Sequence, residues 1–360
     1  MRIAQVAPLW EAVPPSGYGG IELVVGLLTD ELVRRGHEVT LFASGDSTTL
    51  AKLDPGCDIA LRKKDLVTSD YVIYEQLLMG KVFDRAAEFD IIHSHVDYAA
   101  LPYASLTKTP VVFTTHFIID PVMAEIFKAN RQQNFLSISD SQRRNDLNLN
   151  YRATVYNAIA VDRFKFHPQS DSEAPYLAFL GRMGKVKGPH LAIEIAKRSG
   201  WKLKMAGKVD FRNEAFFKAE VEPHIDGEQI QFIGEADHDT KNELMGKAAA
   251  TLFPIDWEEP FGLVMPESMA SGTPVIALNR GSVPEVVQDG KTGFVCQSIE
   301  ACAAAVDRIS EIDRQACRTY VENRFATTRM VDDYESVYRQ LLREKFTANG
   351  HTPNVHLVKV

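Results

Sequence analysis

Two carboxylates, Glu259 and Glu267, frame the stretch of this sequence best suited to chemistry: Asp256-Trp-Glu-Glu-Pro-Phe-Gly-Leu-Val-Met-Pro-Glu267. Pro260 biases Glu259 away from helical geometry, and Pro266, which lacks an N–H, is tolerated in a helix only in its first turn. A helix is therefore predicted to begin near Gly262 to Val264, leaving the amides of Gly262, Leu263 and Val264 without intrahelical acceptors. Free amides at the positive end of a helix dipole suit a phosphate, and Gly262 lets a ligand approach the backbone closely. A phosphate cradle between two carboxylates points to a nucleotide joined to a polyol. A core helix entered through a proline-rich turn accounts for the same residues, and on this segment alone both readings stand.

A second constellation lies upstream. Arg182, Lys185 and Lys187 are interleaved with Gly181, Gly184 and Gly188 directly after the apolar run Tyr176-Leu-Ala-Phe-Leu180. Arg binds an oxyanion through two parallel N–H groups and Lys acts as a compact point charge, so together they suit a diphosphate. A solvated charge run is the alternative, and the glycines and the position after a strand favour the functional reading. Gly17-Tyr-Gly19-Gly20 matches a dinucleotide fingerprint only loosely, because Glu22 stands where the last glycine would be. A turn that brings amides to a phosphate or sugar fits better than a nicotinamide site, and plain tight-turn chemistry fits as well.

Other motifs carry less. His93-Ser-His95-x-Asp97 has metal-ligand character, but no second cluster of suitable spacing accompanies it, and no metal is assigned. His116 ends the strand Val-Val-Phe-Thr-Thr, a position shared by many structural histidines. Gly290-Lys-Thr lacks the upstream glycine of a phosphate-binding loop, and Asp237 reads as a helix N-cap.

The elements that must position these residues alternate. Ile3 to Ala7 is a short strand pattern, followed by a Pro- and Gly-rich loop and an apolar-periodic helix over 21–35, then a strand over 38–43. Strands are predicted near 91–92, 111–115 and 135–138, and again at 176–180, 202–206, 230–233, 250–253 and 274–277. Residues 152–175 loosen into a linker pattern. Helices follow near 298–310, 313–324 and 327–344, and then a polar tail, 347–360. Alternating strands and helices with near-continuous apolar strands imply an α/β architecture of two Rossmann-like domains, each a parallel sheet covered on both faces. Ligands in such sheets bind beyond the carboxyl ends of the strands. If two such edges face each other, the site lies in the cleft between them.

Composition limits the partners. The chain carries a formal net charge of −8, spread as −3 over residues 1–165 and −5 over the remainder. That is a poor match for nucleic acid and argues against association with an anionic membrane, both of which favour a basic face. Cys57, Cys296, Cys302 and Cys317 follow no zinc spacing and read as thiols in a reducing compartment. The opening apolar stretch is too short for a signal-peptide core or a membrane span, so a cytoplasmic location is expected.

Together these residues resemble glycosyltransferase family 4, retaining enzymes of the GT-B fold. The most specific part is Glu259-x7-Glu267, continued by Ala270-Ser-Gly-Thr-Pro-Val-Ile-Ala277 and Gly281-Ser-Val-Pro-Glu-Val-Val287. Gly181-Arg182, Lys187-Gly188, Tyr18-Gly19-Gly20, Thr-Thr-His116 and Asn157-Ala-Ile-Ala-Val-Asp162 support it. The family more often has Gly than Ala at 158. The resemblance implies an acceptor domain over 1–165, completed by a C-terminal helix at 327–345, and a nucleotide-sugar domain over 166–326. It implies that Arg182 and Lys187 clamp the diphosphate and that Glu267 binds the ribose. Glu259 and the amides of Gly262, Leu263 and Val264 would hold the transferred sugar. Backbone at Gln231, Phe232 and Ile233 would read the base, His116 would contact the sugar, and Gly19 and Gly20 would lie close to the phosphate.

The implied reaction moves a hexose from a nucleotide-diphosphate sugar, UDP-glucose foremost, to an acceptor hydroxyl with retention. It requires neither a metal nor another cofactor. The acceptor, a small molecule or saccharide, would be read near His93, His95, Tyr98 and the loop 117–120. A sugar-nucleotide epimerase or phosphorylase on the same architecture, and a non-catalytic nucleotide-sugar binder, are the alternatives. A cofactor-bound phosphorylase would need a Schiff-base lysine, and none is identifiable.

Overall fold

A computed structural model of the chain describes residues 1–17, 19–64, 66, 68–171 and 173–348. Tyr18 and most of the polar tail, 349–360, lie outside the described residues. The chain forms two compact units. The first comprises Met1–Ile138, Arg143–Val155 and the segment from Thr327 onward; the second comprises Ser139–Gln142 and Tyr156–Ala326.

The first unit is built on seven parallel strands: β1 (Arg2–Val6), β2 (Glu38–Ser44), β3 (Lys52–Cys57), β4 (Ile91–Ser94), β5 (Val111–Thr115), β6 (Asn134–Ser137) and β7 (Tyr151–Thr154), in the order β3-β2-β1-β4-β5-β6-β7. The central strands are mostly apolar and buried on both sides, as in parallel sheets covered by helices. Gln5 on β1 pairs in register with His93 on β4, so polar side chains enter the middle of an otherwise apolar sheet. The C-terminal helix Thr327–Ala348 packs on the helix Gly20–Arg34, tied by Arg35 to Asp332 at 2.7 Å and by His37 to Glu335 at 2.5 Å.

The second unit repeats the design with β8 (Tyr176–Leu180), β9 (Lys202–Ala206), β10 (Ile230–Phe232), β11 (Ala250–Phe253), β12 (Val275–Leu278) and β13 (Gly293–Cys296), ordered β10-β9-β8-β11-β12-β13. In both sheets the strand order reverses beside the first strand, between β1 and β4 and between β8 and β11. The loops that leave such neighbouring strands in opposite directions open a crevice for ligands.

Three strands depart from the sequence-based expectation. β3 and β13 were not expected, and residues 151–154, expected to open the linker, form β7. All three lie at sheet edges, where one side is unpaired and a continuous apolar run is not needed. β3 even contains Pro55 and Gly56.

Candidate active site

The two loops at the reversal point of the second sheet meet. After β8 the chain makes a 3-10 turn over Lys185–Lys187, and after β11 it runs through Trp257 to Glu259. The Asp256 amide donates to the Val186 carbonyl at 3.0 Å, zipping the loops together. That backbone bond sets Lys187 beside the second loop. Lys187 Nζ lies 2.5 Å from Glu259 Oε2, and Trp257 Nε1–H donates to the same oxygen at 2.8 Å. The Lys187 ammonium also sits 5.0 Å from the centre of the Trp257 ring, within cation–π range. Among the described residues no donor reaches Oε1 of Glu259, and the residue is only 8% exposed. Arg182 leaves the same loop and approaches Asp210 at 3.8 Å.

The Glu259 loop is braced from behind. Ser282 donates its amide to the Glu259 carbonyl at 2.9 Å and its hydroxyl to the Phe261 carbonyl at 2.8 Å, while the Gly281 amide donates to Glu258 at 2.7 Å. These contacts explain the chemistry of the Gly281-Ser-Val-Pro segment. It positions the loop rather than entering the site.

The helix Val264–Ala270 starts where the prolines predict, with Leu263 at its N-cap and no side-chain cap. Met265 and Glu267 donate their amides to the Gly262 and Leu263 carbonyls, so the turn is formed. The amides of Gly262, Leu263 and Val264 have no acceptor among the described residues. Gly262 has φ +78°, and a Cβ there would stand 2.8 Å from the Phe253 ring and 3.3 Å from Glu259 Cγ. Only glycine permits this turn beside the carboxylate. Glu267, in the first turn, is 4% exposed, and its Oε1 accepts from Lys241 Nζ at 2.7 Å. Lys241 is carried by the helix His238–Lys247, whose N-cap is Asp237, as predicted; its side chain accepts from the Thr240 amide.

The three residues expected to read a base separate. Ile233, at the carboxyl end of β10, is 44% exposed and donates its amide to Met205. Phe232 packs on Phe217, and the Gln231 side chain turns back to the Gly227 carbonyl in the loop preceding β10.

In the first unit, His93, His95 and His116 join a buried polar network instead of a metal cluster. Gln5 Nε2 donates to the Tyr338 hydroxyl at 3.1 Å, and that hydroxyl lies 2.6 Å from His93 Nδ1. His93 Nε2 reaches Thr114 at 2.7 Å. His95 Nε2 meets the Gln5 carbonyl oxygen at 3.0 Å, and His95 Nδ1 meets His116 Nε2 at 2.9 Å. The Gln5 oxygen can only accept, so His95 donates from Nε2 and accepts at Nδ1, and His116 donates from Nε2. Burial keeps all three neutral, with His116 pushed down to about 3 and His93 and His95 well below the usual range. His116 Nδ1 is left as an acceptor at the carboxyl edge of the sheet. Gly19, the N-cap of the first helix, has φ +153°, and a Cβ there would strike the Pro15 ring at 2.8 Å and lie 3.2 Å from Glu22. Gly20 opens the same helix.

Comparison with known proteins bears on the family and the fold. Residues 18–163 match Glycosyltransferase Family 4, and residues 161–324 match the Glycosyl transferases group 1. The chain belongs to glycosyltransferase family 4. This family 4 chain is 24% identical to a glycogen synthase of Mycobacterium tuberculosis over 93% of its own length and 91% of that enzyme. Its fold superposes on sucrose-phosphate synthase from Thermosynechococcus elongatus with a TM-score of 0.80 at 18% identity, covering 95% and 99% of the two chains. It superposes on Anabaena HepE, solved with UDP-glucose, with a TM-score of 0.69 at 19% identity, covering 97% and 100%. These likenesses establish two Rossmann-like domains of the GT-B type. No described helix is long and apolar enough to cross a membrane.

Sequence reasoning missed Trp257 and Lys241. Trp257 lies two residues before Glu259, and its indole N–H beside a carboxylate in a loop was the signal that could have paired them. Lys241 carries no such local signal.

Proposed function

We propose that this family 4 glycosyltransferase moves a hexose from a nucleotide-diphosphate sugar to an acceptor hydroxyl with retention of configuration. The observation that carries the reading is the grouping of Lys187, Glu259 and three acceptor-free amides at one sheet edge. Lys187 and Arg182 supply the cationic charge that a leaving diphosphate needs, in place of a divalent metal. Glu259 Oε1 takes a hydroxyl of the transferred sugar, and the amides of Gly262, Leu263 and Val264 donate to the same ligand. Glu267 uses its remaining oxygen on the ribose, and the backbone around Ile233 faces the base. His116 Nδ1 accepts from a substrate hydroxyl, and Gly19 and Gly20 bring backbone close to the phosphate.

The chemical step balances without a side-chain base. The acceptor oxygen bonds to the anomeric carbon on the face that the diphosphate leaves. The C1–O bond breaks with its electron pair going to phosphate, and a phosphate oxygen takes the acceptor proton. Lys187 stabilises the charge on that phosphate as it develops.

UDP-glucose is the first donor to test, because a neighbour of the same fold was solved with it. Thermal shift with UDP, GDP, ADP and their glucose conjugates identifies the nucleotide, since a ligand that binds only the native state raises the melting temperature by mass action. A rise with one nucleotide family supports the donor assignment. No shift with any of the six ligands contradicts it.

A further inference from the structure

Gln5 is the member of the buried histidine network whose hydrogen-bonding sense no proton shift can reverse. A hydroxyl turns about its C–O bond, and a neutral imidazole can carry its proton on either nitrogen, so the other members can donate or accept on either side without heavy-atom movement. An amide oxygen only accepts, and an amide NH2 only donates. Gln5, buried in β1, uses both ends: its oxygen meets His95 Nε2 at 3.0 Å, and its NH2 meets the Tyr338 hydroxyl at 3.1 Å.

These two contacts set the sense of the remaining bonds. Toward the C-terminal helix, Tyr338 accepts from Gln5 and donates to His93 Nδ1 at 2.6 Å, and His93 donates from Nε2 to Thr114 at 2.7 Å. Thr114 then donates to the Tyr334 hydroxyl at 3.3 Å. Toward the other end, His95 donates to Gln5 and accepts from His116 Nε2 at 2.9 Å. All these protons point one way, from His116 to Tyr334. Each group between them accepts once and donates once, and such chains strengthen cooperatively. Gln5, His93, His95, Tyr334 and Tyr338 are fully buried, so a reversed proton at any of them would set donor against donor with no solvent to relieve it. The run ends at His116, the residue after β5, at the carboxyl edge of the sheet. That is the edge where an α/β sheet binds ligands.

We propose that Gln5 is a positioning residue that sets substrate specificity: by fixing the direction of the chain it makes His116 Nδ1 an obligate acceptor. That nitrogen takes a substrate hydroxyl and rejects a group with no proton to give, such as fluorine, an ether oxygen or a carboxylate. Gln5 touches no substrate and acts through His95 and His116. An apolar residue would fill its place in a central parallel strand without any polar group to satisfy. The amide adds a fixed direction. The proposal rests on the reading that His116 faces a substrate hydroxyl, and it adds which partner supplies the proton.

The test has two arms, both on the full chain. In the first, histidine is labelled with nitrogen-15, and long-range proton–nitrogen NMR near neutral pH locates the ring protons. The wild type is expected to carry the proton on Nε2 of His93, His95 and His116 alike. Gln5→Met keeps the side-chain length and removes both polar ends. His95 then has no acceptor for its Nε2 proton, and His116 should populate the form protonated on Nδ1. In the second arm UDP, UDP-glucose and the monodeoxyfluoro UDP-glucoses are titrated calorimetrically. The wild type should bind one fluoro analogue about 10-fold more weakly than UDP-glucose through His116, the scale of a buried acceptor left unpaired. Gln5→Met should narrow that gap to about 2-fold with UDP affinity unchanged, whereas a variant that merely loosened the domain would weaken all the sugars alike.

A proton on Nδ1 of His116 in the wild type overturns the proposal. So does a Gln5→Met variant with unchanged tautomers or unchanged fluoro discrimination. If Gln5→Met fails to fold, the wild-type tautomers decide: Nε2 protons on all three histidines support the chain, and an Nδ1 proton on any of them breaks it. Absence of UDP-glucose binding by the wild type fails the donor reading, while the tautomers still decide the direction that Gln5 sets.

Discussion

Lys187 and Trp257 meet on a single atom, Oε2 of Glu259, at 2.5 and 2.8 Å. One carboxylate oxygen is saturated, and the other keeps its capacity to accept. Glu267 is held in the same manner, through Oε1 by Lys241 at 2.7 Å. Each glutamate is thus held by a lysine through one oxygen, while among the described residues no donor reaches the second. For two carboxylates assigned to two polyols, the sugar and the ribose, this is the arrangement that binding requires.

Trp257 is accordingly a positioning residue. Trp257→Phe keeps a ring near Lys187 and removes the N–H donor to Glu259. A hydrogen bond to a charged group contributes about 1.5–3 kcal/mol, so kcat/KM for the donor should fall by roughly 10- to 100-fold. UDP affinity, which does not involve the transferred sugar, should stay within about 2-fold. Steady-state kinetics and calorimetry read the two quantities separately, and an equal loss in both would remove Trp257 from the sugar's support.

Lys187→Ala removes the cation nearest Glu259 and should cost turnover heavily, by about 100- to 1,000-fold, as for the loss of a preorganised electrostatic group. Lys187→Arg retains the charge but not the compact geometry and should recover only part of the rate. Unchanged turnover in Lys187→Ala would end the assignment of a diphosphate clamp.

Glu267→Gln should distinguish ribose from deoxyribose. If the open oxygen of Glu267 accepts from ribose hydroxyls, the variant binds UDP about 10-fold more weakly, while 2′-deoxy-UDP, with fewer hydroxyls to lose, changes less. Parallel titrations of both nucleotides measure the ratio. Identical losses would place Glu267 away from the 2′ position.

The histidine network gives a pH dependence of fixed sign. His93, His95 and His116 have folded-state pKa values below the unfolded value of about 6.5, so below that pH the unfolded chain binds more protons. Stability is therefore complete above about pH 6.5 and is lost as pH falls from there toward the depressed folded values. Each of these histidines that stays neutral can remove up to ~1.4 kcal/mol per pH unit in that window. Urea unfolding at pH 7.5 and 5.5 should show the loss, and His116→Gln should reduce its slope. An equal slope in the variant would mean that His116 titrates normally.

The same network shows where reading the sequence stopped. His93-x-His95 has the look of a ligand pair, yet its partners are Gln5, Thr114 and a tyrosine 245 residues away on the C-terminal helix. Nothing local announces that tyrosine. Glu259, Glu267 and Lys187 were legible because prolines, glycines and a preceding strand mark their loops. Lys241 was not, because a separate helix brings it to Glu267 from 26 positions away. Among the strands, β8 declares itself as an unbroken apolar run, whereas β3, with Lys52, Asp54, Pro55 and Gly56, looks like a loop until a sheet edge claims it.

The central claim, same-face transfer from a nucleotide sugar through the Lys187–Glu259 site, is tested most directly by proton NMR of the product. The enzyme is incubated with UDP-α-glucose and a panel of small-molecule and saccharide acceptors, and the anomeric coupling of the newly attached sugar is measured as it forms. The account predicts an α-linked product and one equivalent of UDP, both abolished by Lys187→Ala. A β-linked product, or transfer undiminished in Lys187→Ala, would contradict it.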